Sequence, residues 1–176
     1  MSQPAKKQKV SSAHSNGFVH RNCKDIYDSL RRMYQNGDKF SDVTVSVGTE
    51  GAHFKCSSAM LAASSPVFAA MLFGELADPS VMSKPRENRI LQLRHIPELS
   101  QSPAKYFRLM LDFIHGLSIK LDIDTATDLY IFADYLGILC MRRECSQCLC
   151  NLACVNNVCT VLERARHLQC KVHESL

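Results

Sequence analysis

No run of about 18 consecutive apolar residues occurs in the 176-residue sequence, so no helix in it is suited to span a membrane. The start, Met1-Ser2-Gln3-Pro4-Ala5-Lys6-Lys7, lacks the apolar stretch that follows the basic residues of a secretory signal. There is no Gly-x-Ser-x-Gly, no His-Glu-x-x-His and no phosphate-cradling glycine loop, which removes the enzyme classes marked by those motifs. Internal repeats are missing too. Acidic residues are absent from the first 24 positions, which hold Lys6, Lys7, Lys9, Arg21 and Lys24 for a local +5, whereas the whole chain is +4 and the rest therefore −1. The basic excess belongs to the tail, and the globular part has no global electrostatic reason to bind nucleic acid.

What is present is a foldable chain. Hydrophobic residues make up 46% and charged residues 22%, enough to bury a core in one domain of ordinary size. The polar composition of residues 1–20 predicts a disordered basic tail. Lys6, Lys7 and Lys9 have the composition of a short nuclear-import patch, beside the plainer reading of a solvated terminus. Nine cysteines, an odd number with no export signal, read as reduced thiols in the cytoplasm, the nucleus or both.

Patterning predicts the elements. Residues 22–36 read as an amphipathic helix with Asn22 as cap and Asn36-Gly37 as stop; Ile26, Leu30 and Met33 share one face, with Tyr27 and Tyr34 beside it. That face packs either on its own domain or on a partner. Val43 to Val47 alternates with period two, and residues 52–56 return it as a hairpin. Two short helices, 57–63 and 66–74, are split by Ser64-Ser65-Pro66, with Ser65 as cap of the second. Residues 77–89 read as a polar loop and 89–93 as a third strand. Ser102-Pro103 opens a helix that stops at Gly116. Ser118 to Leu121 is a short strand candidate, Asp124 caps a helix ending near Gly137, and further helices are expected at about 140–152 and 157–168. The sum is an α+β domain, a small sheet with a surrounding helical cluster and extra C-terminal helices.

Chemistry-bearing residues read mostly as structure. Cys145-x2-Cys148 and His167-x2-Cys170 have a spacing that zinc sites use, but both pairs fall in helical segments. Buried cysteine behaves as a small hydrophobe, so no metal is expected. His53, His95 and His115 stand near no motif that marks a cysteine as nucleophile. Asp122 and Asp124 flank a turn, one of them as helix cap. No enzyme activity and no cofactor are expected.

Several segments resemble the BTB/POZ domain. Ser41-Asp42-Val43-Thr44-Val45 is similar to its opening strand. Ala59 through Ser64-Ser65-Pro66-Val67-Phe68 to Leu72 is similar to its leucine-alanine-serine-proline-phenylalanine stretch. Tyr106-Phe107, Leu111 to Gly116 and Ala126 to Leu136 resemble its later helices. The match assigns residues 21–152 to a BTB/POZ domain. Phe73-Gly74-Glu75-Leu76-Ala77 resembles the BTB–BACK branch, and residues 153–176 resemble the start of a BACK helical segment. Where the family often has a histidine and a basic residue, Ser57 and Ser58 stand here, which predicts that Asp42 lacks its usual partner.

The resemblance implies a protein-interaction module that dimerises with itself or with other BTB proteins. The helix carrying Ile26, Leu30 and Met33 would form the dimer face, and burying three such side chains is worth about 5 kcal/mol before ordering costs. It also implies a cullin contact built from Leu72, Phe73, Leu76 and Asp78, with Leu76-Ala77-Asp78 at the place of the family's apolar-x-glutamate, and so an adaptor of a cullin–RING ubiquitin ligase. A BTB module in nuclear transcriptional regulation is the alternative, drawn from the lysine tail. The length leaves no room for a substrate-reading domain, which predicts an adaptor half without its reader.

Overall fold

The computed structural model describes residues 23–49, 51–85, 88–154, 158, 159 and 163. The expected first helix is α1 (Cys23–Gln35), followed by a short α2 (Gly37–Phe40). Its proposed cap Asn22 lies outside the described residues, as do Lys6, Lys7 and Lys9 and most of residues 153–176.

Among the described residues, the sheet has three strands in the order β2-β1-β3. In β1 (Val43–Val47) the three valines are buried, while Thr44 and Ser46 are half-buried on the other face. β2 (Ala52–Cys56) returns antiparallel, pairing Val45 with Phe54. The hairpin turns through Gly48 and Gly51, both at positive φ near 70°, where a side chain would be strained. β3 (Ile90–Leu93) runs parallel to β1 on its other side, pairing Val45 with Leu91 and Val47 with Leu93. Between β2 and β3 the chain builds α3 (Ser58–Ser64), α4 (Pro66–Phe73) and a short α5 (Pro79–Met82). The segment expected to be a polar loop thus contains a helix, and its start is an aspartate-proline pair: Asp78 caps and Pro79 takes the first position.

α6 (Pro103–Ile114), α7 (Ile123–Tyr135) and α8 (Leu139–Leu152) follow. Tyr106, Phe107, Met110 and Leu111 of α6 meet Leu129 and Phe132 of α7, Phe68 and Leu72 of α4, and the sheet valines in one buried core. Two readings are corrected. Residues 118–121 form no strand: Ile119 and Leu121 pack on the core, but the segment pairs with none of the three strands, and alternation without a ladder partner makes no strand. The cap of α7 is Asp122, whose carboxylate accepts from Thr125 N–H at 2.7 Å, and Asp124 sits in the first turn.

The serine-serine-proline corner ties the helices together. Ser65 Oγ accepts from Phe68 N–H at 3.1 Å and donates to the Leu136 carbonyl at 2.5 Å, so one hydroxyl starts α4 and anchors the end of α7. Gly137 follows at φ +68°, and a Cβ there would lie 2.8 Å from Pro66 Cγ. A second buried connection joins Tyr106, whose hydroxyl donates to Asp128 at 2.5 Å, with Ser100, which gives that carboxylate its N–H at 3.1 Å and its hydroxyl. It holds the β3–α6 connection against α6 and α7.

Candidate interaction surfaces

α1 docks on its own domain through the stripe Tyr27, Arg31 and Tyr34. Gly116, at φ +74°, ends the α6 turn, and a Cβ there would fall 2.6 Å from Tyr27 Cδ1. The Tyr27 ring therefore needs that position bare. Arg31 Nη2 donates to the Gly116 carbonyl at 3.4 Å. The Tyr34 ring stacks on His115 with centroids 4.4 Å apart, its hydroxyl accepts from Arg108 at 3.3 Å, and His115 Nδ1 lies 2.7 Å from the Leu111 carbonyl.

The stripe one residue earlier is the predicted dimer face. Ile26 is 43% exposed, whereas Leu30 and Met33 are half-buried, and Met33 lines a cleft with Tyr34, Phe40, Cys56, Leu111 and His115. The three residues do share a face, but they differ in what they offer. Tyr27, already placed beside that face, is exposed as well, and Phe40, which the helical periodicity did not single out, adds further aromatic surface.

A second surface lies where α4 ends. Gly74 lets the chain leave the helix tightly, since a Cβ would come within 2.9 Å of Ala70 Cα. Phe73 before it is 62% exposed and Leu76 after it 68% exposed. Leu72, predicted as part of the same contact, is 2% exposed: it belongs to the buried core and offers no surface to a partner. Asp78 is exposed, and its carboxylate is engaged by the α5 start: Ser80, through its hydroxyl and its N–H at 2.8 Å, holds the carboxyl below its usual range. Leu139, exposed at the start of α8, is a further apolar residue the sequence reading passed over, because it stands just outside the helical stripes.

Asp42 is not left without a partner. Ser58 donates both its N–H, at 2.7 Å, and its hydroxyl, at 2.6 Å, to the two carboxylate oxygens. The basic partner usual in the family is absent, as expected, and a neutral hydroxyl and the start of α3 take its place.

Among the described residues, no group of three or more His, Cys, Asp or Glu is placed to hold a metal ion. Cys145 is buried, and burial pushes its thiol up to about 12; Cys56 is raised likewise, while Cys140 and Cys150 are exposed. His167 and Cys170 lie outside the described residues. His115 is buried within the α1 contact, His53 is exposed on β2, and His95 is exposed in the connection after β3. Among the described residues, no helix is long and apolar enough to cross a membrane.

Comparison with known proteins agrees with this architecture. The chain is 27% identical over 158 residues to Kelch repeat and BTB domain-containing protein 4 of Mus musculus, and 26% identical to that of Homo sapiens. Each match covers 86% of this chain and 27% of the relative, so the chain spans about a quarter of the length of these relatives. In three dimensions it resembles the BTB domain of human gigaxonin, with a TM-score of 0.58 at 21% identity over 76% of this chain and 98% of that one. The BTB domain of zebrafish PATZ1 aligns with a TM-score of 0.53 at 24% identity over 77% of this chain and 99% of that one. A family model, BTB/POZ domain, matches residues 30–153, which takes in every element from the middle of α1 to the end of α8, and the chain belongs to that family.

Proposed function

We propose that the chain is a self-associating adaptor or regulator that couples to a cullin scaffold in a ubiquitin ligase. BTB domains are protein-interaction modules that generally pair with themselves or with other BTB proteins. The observation that carries the scaffold reading is the pair of large apolar side chains, Phe73 and Leu76, exposed on either side of Gly74 with the charged Asp78 two residues on. Isolated polar surface would give no reason to keep two such side chains in water at adjoining positions. The similarity to kelch-repeat BTB proteins supports the adaptor reading.

The test is a pull-down with a cullin N-terminal domain, comparing wild type with Phe73→Ala, Leu76→Ala and Asp78→Asn. Asparagine retains a capping oxygen for α5, so Asp78→Asn reports on charge rather than on the local fold. Loss of capture in Leu76→Ala of at least tenfold, with an unchanged melting temperature, is the expected result. No capture by the wild-type chain rejects the scaffold reading.

A further inference from the structure

The sequence has two serines followed by proline, Ser65 and Ser102, and the structure separates them. Ser65 is 1% exposed, with its hydroxyl committed to Phe68 and Leu136. Ser102 is exposed, at φ −50° and ψ 130°, at the end of the β3–α6 connection, where residues 96–102 form no helix or strand. Pro103 follows it, and Lys105 stands three residues on. Serine, proline, any residue, then lysine is the acceptor pattern read by proline-directed protein kinases: proline fills a position that forms no backbone hydrogen bond to the enzyme, and the basic residue meets an acidic pocket.

We infer that Ser102 is a phosphorylation site for a proline-directed serine/threonine kinase. The acceptor is defined by its side-chain pattern and its exposure, and the inference does not rest on the dimer or scaffold readings. In the reaction, Ser102 Oγ attacks the γ-phosphorus of ATP, the bond to the β–γ bridging oxygen breaks, ADP leaves, and the hydroxyl proton passes to the kinase's base.

Two features of the fold make the step feasible. Kinases take their acceptors extended, whereas Pro103 and Lys105 lie in the first turn of α6. That turn is weakly held: Pro103 has no N–H to lose, and Lys105 N–H bonds back to the Ser102 carbonyl at 3.0 Å. Opening the first turn leaves the anchors further along α6 in place, because Tyr106 and Phe107 are fully buried. Once formed, the phosphate stands at the N-terminus of α6, near Lys105, whose Nζ lies 2.9 Å from Gln101 Oε1 on the same exposed face. The site is at the opposite end of α6 from Gly116, where α1 docks, so the modification leaves that contact untouched.

The experiment treats the full folded chain with ATP and a purified cyclin-dependent-type proline-directed kinase, and localises phosphate by fragmentation of the tryptic peptide His95–Lys105 (His95–Arg108 in Lys105→Ala), which also contains Ser100. Phosphate on Ser102 with none on Ser65, abolished in Ser102→Ala, retained in Ser102→Thr and slowed at least fivefold in Lys105→Ala, is the expected result. A synthetic peptide of residues 95–108 serves as the second substrate. Should the peptide be modified and the folded chain not, the helix start is closed to the enzyme and the proposal fails. Should neither be modified, or should Ser65 be the acceptor, it fails on the motif itself.

Discussion

The hydroxyl of Ser65 satisfies two backbone groups at once, and Ser65→Ala leaves both without it. Loss of an N-cap costs about 1 kcal/mol, and a buried carbonyl without a donor costs a further ~1–2 kcal/mol. Urea denaturation should therefore show Ser65→Ala less stable by about 2–3 kcal/mol with an unchanged slope; a loss below about 0.5 kcal/mol would mean that the Leu136 carbonyl finds another donor. The cap was legible in the serine-proline pair, but the bond to Leu136 was not, since 71 residues separate the partners. Alkaline stability follows from other buried groups. Burial raises the Cys56 and Cys145 thiols from about 9 to about 12, and burial with the neighbouring Asp128 raises the Tyr106 phenol from about 10 to about 12. Each holds its proton in the folded chain after the unfolded chain has released it. The stabilisation is complete below pH 9 and is lost as the pH climbs from 9 to 12. Melting temperature should fall across that interval, and the fall should be shallower in Cys145→Ala, whatever that variant does to stability at neutral pH. Equal slopes in the two proteins would show that Cys145 has no part in the effect.

Among elements, those with long or strict patterns were legible and those that depend on distant partners were not. β1 is visible in five residues of strict alternation, and α6 and α7 in apolar stripes bounded by caps and glycines. Ser118 to Leu121 alternates just as well, yet it pairs with none of the three strands, and its apolar residues are buried by packing on the core instead. The face of α1 shows the same limit. Periodicity placed Ile26, Leu30 and Met33 together but could not say that the adjoining stripe Tyr27, Arg31 and Tyr34 holds the helix to its own domain. Gly116 is the test of that docking. Alanine there meets both a left-handed backbone, at about 1 kcal/mol, and the Tyr27 ring at 2.6 Å. Gly116→Ala should destabilise the domain by about 2 kcal/mol, and combining it with Tyr27→Ala should cost less than the two changes summed, because the truncated side chain removes the clash. Strict additivity by chemical denaturation would separate Gly116 from α1.

At the scale of the whole molecule, the docking of α1 changes how self-association has to be tested. Leu30 and Met33 are half-buried within one chain, so pairing two chains removes less apolar surface than three fully exposed side chains would supply, and the gain falls short of about 5 kcal/mol per helix. Ile26, with Tyr27 and Phe40 exposed on the same N-terminal segment, is left as the main contributor. A charge at Leu30 would disturb the chain's own packing as well as any partner's, so a monomer produced by Leu30→Asp would not distinguish the two. Ile26→Asp places the charge where the chain itself makes least use of the side chain. Sedimentation equilibrium should find the wild-type chain as a dimer and Ile26→Asp as a monomer, with superimposable far-ultraviolet spectra. The two-fold symmetry of a homodimer sets each substitution into the interface twice, which raises the effect of one exposed position to that of two. If Ile26→Asp sediments as the same dimer, the interface lies elsewhere. The exposed pair Phe73 and Leu76 is then the next apolar surface to test, and the self-association and scaffold readings would compete for it.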